Sequence, residues 1–188
     1  MADKPRPPRA DAVRNRSRVL EVAYRTFAEE GLSVPIDEIA RRAGVGAGTV
    51  YRHFPTKEAL FQAIVASRLQ RLIDYAKELT DAGESGEAFF AFLAFLVEEG
   101  KEDQGLVDAL AGIGFDIAAA MPGAERDFLA VLDNLLTRAQ LAGAVRMDVD
   151  VRDIKTLLVG CQAMQRYGGD AELTRRMLAV VRGGLTST

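Results

Sequence analysis

Cysteine and histidine each occur once in the 188 residues, at Cys161 and His53. A lone cysteine forms no intramolecular disulfide and suits a reducing cytoplasm. With a single histidine, neither a clustered zinc site nor a Cys–His nucleophile pair is in prospect, and His53 and Cys161 fall in different regions of the chain. Gly-x-Ser-x-Gly, His-Glu-x-x-His and P-loop sequences are all missing. The glycine-rich stretch Gly44-Val-Gly-Ala-Gly48 follows no strand-like run, which removes a dinucleotide site. Long apolar runs are missing too: the longest, Ala88 to Val97, has ten residues, about half of what spans a bilayer. The first ten residues hold three prolines and no apolar stretch of the secretory kind. These absences argue against an enzyme, a metal or cofactor site and a membrane protein, and for a soluble cytoplasmic chain.

What is present is a core-forming composition and a lopsided charge. Hydrophobic residues make up 48% of the chain, enough to bury a real core. The formal net charge is only -3, but residues 1–57 carry 11 Lys and Arg against 7 Asp and Glu, a net of +4, and the remainder a net of -7. A basic head on an acidic body is expected when one end meets phosphates and the other does not.

No stretch alternates with period two for long enough to propose a sheet, so the chain reads as all-α. A mobile basic tail is expected over 1–10. A first helix is expected from about Ala12 to Glu30, with Val13, Leu20, Ala23, Tyr24 and Phe27 as its apolar stripe and Gly31 as its stop. Pro35, Asp37 and Glu38 open a second, which stops at Gly44. A third, short helix covers roughly Ala47 to His53 and halts before Pro55; Thr56 then caps a long one from Lys57 to about Thr80. Further helices are expected near 86–100, 103–120, 122–142, 150–167 and 170–183, about nine in all, with glycine, proline and acidic residues between them.

Residues 36–53 have the build of a helix-turn-helix. Ala40 is small where two helices must approach closely, Gly44 permits a left-handed turn, and Ile39, Val45 and Val50 are spaced to fill the wedge between them. Ala47, Gly48, Thr49, Tyr51, Arg52 and His53 are then left on the outer face, where such a helix enters the major groove.

The stretch Gly-Thr-Val-Tyr-Arg-His-Phe-Pro-Thr-Lys-Glu-Ala-Leu, residues 48–60, closely resembles the tetracycline-repressor (TetR) family of bacterial transcription regulators. Phe-Ala-Glu-Glu-Gly-Leu, 27–32, and Ile-Asp-Glu-Ile-Ala-Arg-Arg-Ala-Gly-Val, 36–45, fit the first two helices of that family, so the resemblance covers about residues 12–65. It implies that Thr49, Tyr51, His53 and Lys57 hold the DNA backbone, contacts that set register without reading sequence. Base reading would fall on Ala47, Gly48, Tyr51 and Arg52, with Arg52 the donor to a guanine. The family often has Ser or Thr leading into each short helix; here Pro35 and Gly46 stand there, which weakens the caps. The arginines at 6, 9, 14, 16 and 18 either solubilise the tail or form an arm along the duplex.

The resemblance further implies a helix-turn-helix domain over 11–56 and an effector-binding, dimerising domain over 57–188. The run from Ala88 to Val97 is apolar all round, as a fully buried helix is. Phe89, Phe92, Leu93 and Leu96, with Phe115, Met121 and Phe128, are either plain core or the lining of an apolar pocket; Asp116 either orients a ligand there or faces solvent. The last two helices show apolar faces at 151, 154, 158 and 161 and at 173, 177, 180 and 181, and in the family such a pair meets its copy as a four-helix bundle. The expectation is a homodimer through the last two helices that binds a palindromic double-stranded operator, represses, and is released by a small-molecule effector. The competing reading is a helical small-molecule carrier or scaffold whose DNA-binding head is vestigial.

Overall fold

The computed structural model describes residues 8–83, 85–112, 120–166 and 170–186. Among them are eight helices and no strand: α1 (Pro8–Glu30), α2 (Ile36–Arg42), α3 (Ala47–His53), α4 (Lys57–Asp81), α5 (Ser85–Gly112), α6 (Ala124–Leu141), α7 (Val151–Arg166) and α8 (Ala171–Leu185). They group into two compact units, one drawn from Met1–Arg68 and Gly105–Met121, the other from Leu69–Gln104 and Pro122–Thr188. No helix of the described residues is long and apolar enough to cross a membrane.

Helix ends follow local chemistry. Gly31 leaves α1 at φ +82, and Gly44 leaves α2 at φ +65. After α2 the N–H of Val45 donates to the Ala40 carbonyl and that of Gly44 to the Arg41 carbonyl, both about 3 Å away. This paired closure needs a left-handed residue at position 44, which glycine adopts without strain. Thr56 caps α4 by accepting from the Ala59 N–H at 3.1 Å. Asp170 does the same for α8 with Leu173 at 2.7 Å. Asp150 and Asp153 exchange backbone bonds at the start of α7.

In the first unit, Val19, Leu20, Ala23, Tyr24 and Phe27 of α1 pack with Ile36, Ile39 and Ala40 of α2, Val50 of α3, and Leu60, Phe61 and Ile64 of α4. The rings of Phe27 and Phe61 meet edge to face at 5.0 Å. Helix α1 starts earlier than its apolar stripe implies, at Pro8, and Val13 is 65% exposed, so the core face begins at Val19.

In the second unit, Ala88 to Val97 forms the middle of the core. Phe89 and Phe92 are wholly buried, and Ala88, Phe90, Leu93, Leu96 and Val97 nearly so, against Leu132, Leu135, Leu136 and Ala139 of α6 and Ile154, Leu158 and Cys161 of α7. Arg182 of α8 ties down α5 by pairing with Glu87 while its guanidinium lies 4.5 Å from the Phe90 ring centre. The sequence implies two helices on either side of Gly100; instead α5 runs unbroken from Ser85 to Gly112. One helix-interior glycine costs only about 1 kcal/mol, too little to end a helix that buries Phe89, Phe92, Leu96 and Val97 before it and Leu106 and Leu110 after it. Phe115 and Asp116 lie outside the described residues.

Candidate functional site

Helix α3 is held in place by what lies beneath it. Val50 of α3 is completely buried, and Ile39 and Ala40 of α2 nearly so, which pins α3 along one side and leaves the other outward. Gly48, Tyr51, Arg52 and His53 are exposed, while Ala47 and Thr49 are half-buried at its start. Tyr51 is 44% exposed, which leaves its ring and hydroxyl accessible from outside. Neither Gly46 nor Gly48 is required by backbone conformation, and a Cβ added to either meets nothing within 4 Å.

Arg52 lies back along α3. Its Nε donates to the Gly48 carbonyl at 3.1 Å and one terminal nitrogen reaches the Thr49 hydroxyl at 3.4 Å. The guanidinium is thereby carried toward the N-terminal end of the helix, the end that approaches base edges in this motif. Lys57 opens α4 half-buried, with its ammonium 5.6 Å from the Phe27 ring centre. Burial lowers its pKa from the ordinary lysine value.

The two arginines of α2 are occupied elsewhere. Glu38 accepts from Arg41 and Arg42, each at 2.7 Å, and Arg42 also reaches Glu30 at the end of α1. These bonds, the one from Arg41 foremost, hold the Glu38 carboxyl down at about 2. In α1, Arg14 pairs with Asp11, Arg18 reaches Asn15 and Arg25 pairs with Glu21. Arg16 does something different: its guanidinium lies 5.4 Å from the ring centre of Phe54, the residue after His53. Its approach to the end of α3 is not legible in the sequence, because no spacing rule links residues 38 apart.

Within the second unit, a cavity of about 220 Å³ lies among α4, α5, α6 and α7. Leu96 and Phe128 line it, as do Leu72, Glu99, Gly100, Lys155, Leu158, Val159 and Gln162. Phe89, Phe92 and Leu93 pack in the core instead, and half-buried Met121 groups with the first unit. A signal for the missed residues exists in the spacing of 155, 158, 159 and 162, which puts them on one flank of α7.

The opposite flank is also informative. The expected apolar face of α7 at Val151, Ile154, Leu158 and Cys161 turns inward and fills the core. The apolar groups left in water on the other side are Leu157 at 39% and Met164 at 52%, and on α8 Leu173 at 42% and Val180 at 76%.

A family model described as "Bacterial regulatory proteins, tetR family" matches residues 19–64, and one described as "Transcriptional regulator SbtR-like, C-terminal domain" matches residues 84–187. The TetR transcription regulatory protein of Mycobacterium vanbaalenii has a solved structure that is 55% identical, covering 96% of this chain and 99% of that one with a TM-score of 0.82. A TetR transcriptional regulator of Streptomyces coelicolor is 31% identical over 92% of this chain and 99% of its own, with a TM-score of 0.79. An HTH-type transcriptional regulator of Staphylococcus aureus is 38% identical over 74 residues; that match spans 39% of this chain and about two-fifths of the relative's length. The outward face of α3, the two-unit helical build and the likeness along nearly the whole chain lead to one conclusion: the chain belongs to the TetR family of DNA-binding bacterial transcription regulators.

Proposed function

We propose that the protein is a cytoplasmic repressor that binds a palindromic operator as a homodimer and is released by a small-molecule effector. Its DNA-binding part is residues 11–56, and 57–188 bind the effector and dimerise. Thr49, Tyr51, His53 and Lys57 hold phosphates; Ala47, Gly48, Tyr51 and Arg52 face base edges, with Arg52 donating to guanine. The observation that carries this reading is the outward face of α3, where exposed Tyr51, Arg52 and His53 stand on a fully buried Val50.

Dimerisation through α7 and α8 is supported by Leu157 and Met164 on one flank of α7 and Leu173 and Val180 on α8, all left in water. Of the expected α8 face at 173, 177, 180 and 181, Met177 and Val181 pack on the chain's own core, and Leu173 and Val180 stay exposed, seven residues apart on one side where a second copy can cover them. Repression and release then require an effector that binds more tightly to the form unable to hold both half-sites.

Selection of bound fragments from a random DNA pool by the purified protein tests the reading. An enriched inverted repeat, with half-sites about one helical turn apart, is the expected result. No enrichment by folded, ligand-free protein would overturn it in favour of a carrier with a vestigial head.

A further inference from the structure

The cavity among α4, α5, α6 and α7 has a divided lining. Leu72, Leu96, Phe128 and Leu158 are apolar walls, and the exposed Lys155 and Val159 form its rim. Its two charged residues are engaged with partners: Lys155 pairs with Glu125, and the Glu99 carboxylate lies 3.7 Å from Arg71. An ionic ligand would have to compete with one of those pairs while losing its own hydration.

Gln162 is different. It is half-buried, lines the cavity, and its side-chain amide makes no hydrogen bond with any described residue. The amide lies against Gly100 so closely that a Cβ there would come within 2.4 Å of its nitrogen. A glycine inside a helix costs about 1 kcal/mol relative to alanine. At position 100 that cost leaves room for an amide that offers both a donor and an acceptor beside an apolar chamber.

We propose that this cavity takes a neutral, mainly apolar small molecule carrying one hydroxyl or carbonyl head group, which bonds to the Gln162 amide while the body packs on Leu72, Leu96, Phe128 and Leu158. The inference deepens the effector-responsive reading above and rests on it. A cavity near 150 Å³ holds a benzene ring, so 220 Å³ suits a ligand of about ten non-hydrogen atoms. That is smaller than the drug-sized molecules held by pockets of roughly 300–1,000 Å³.

Calorimetric titration of the full-length protein, without DNA, tests the ligand class. Three probes of matched size are used: 4-propylphenol (neutral, with a head group), propylbenzene (neutral, without one) and 4-ethylbenzoate (anionic). Propylphenol should bind best, propylbenzene about tenfold more weakly, and ethylbenzoate not measurably. Gln162→Leu should lower propylphenol affinity to that of propylbenzene and leave propylbenzene binding unchanged, which also shows that the chamber survives. Gly100→Ala, which crowds the same amide without removing it, should act in the same direction. Ethylbenzoate binding as well as propylphenol would overturn the neutral class; no binding of any probe would overturn the site; an unchanged propylphenol affinity in both variants would overturn the role of Gln162. Because DNA is absent from the titration, each of these failures leaves the operator reading standing, and that reading fails separately if fragment selection enriches nothing.

Discussion

Arg52 donates its Nε–H to the carbonyl oxygen of Gly48, one turn earlier on the same helix, at 3.1 Å. The bond orders a long side chain before any DNA arrives, so less rotamer freedom is lost on binding. It also holds the charge toward the N-terminal end of α3, the end proposed above to face base edges. Arg52→Ala should therefore blur discrimination at a few base pairs, each worth about 1–3 kcal/mol. Competition between the selected operator and single-base variants measures this. Uniform weakening on every DNA would assign Arg52 to phosphate instead.

Lys57→Ala should behave in the opposite way. Its ammonium stands at the start of α4 beside Phe27, suited to a phosphate rather than a base. Binding should weaken on all sequences, and the slope of log affinity against log salt should fall by about 1 for each phosphate that is no longer neutralised. An unchanged slope would remove Lys57 from the backbone clamp.

Gly48→Ala separates folding from reading. Nothing in the structure occupies the space of the added methyl, and position 48 lies within a helix at ordinary φ. The variant should gain up to about 1 kcal/mol of stability and yet bind its operator less well, if the duplex lies close to that bare backbone. Thermal unfolding and operator titration on the same sample decide the matter; undiminished operator affinity would show that the duplex stays clear of position 48.

Val180→Glu addresses the exposed side of α8. Val180 is 76% exposed, so the substitution costs the single chain little. Enclosed at a two-fold interface it would bury two unpaired carboxylates, one from each copy, and weaken the dimer by about a hundredfold or more. Sedimentation should report monomers at micromolar concentration, with operator affinity reduced in parallel.

Acid should loosen the junction of α1 and α2. The folded Glu38 carboxyl is held at about 2 by Arg41 and Arg42, below the ordinary 4.5, and Glu30 is lowered by Arg42 in the same way. A depressed carboxyl contributes stability that is fully present above about pH 4.5 and is lost as pH falls toward 2. The difference in thermal midpoint between the parent and Glu38→Gln should thus be greatest above pH 4.5 and close by pH 2. A pH-independent difference would mean that the charge on Glu38 contributes nothing.

The helix-turn-helix is legible in the sequence because its constraints are local. Gly44, Val50, Pro55 and Thr56 each act on neighbours within a few residues, and they appear where expected as a left-handed turn, a buried wedge, a break and a cap. The second unit is less legible because its constraints are distant. Gly100 resembles a helix stop when only its neighbours are considered, whereas its partner, Gln162 of α7, stands sixty-two positions away. The inward stripe of α7 resembles a docking face because periodicity reports which residues share a side, not what that side meets.

The brevity of α3 also limits how much information the protein can extract from DNA. Seven residues span roughly 10 Å, about three base-pair steps, or on the order of six bits of sequence. Finding one address among about a million competing sites takes some twenty bits. Two copies of the helix, bound as proposed, would supply only about twelve, so the remainder would fall to contacts outside α3 and to how readily the duplex between and beside the half-sites takes the required shape. An operator read in this way would therefore be defined in part by base pairs that α3 never touches.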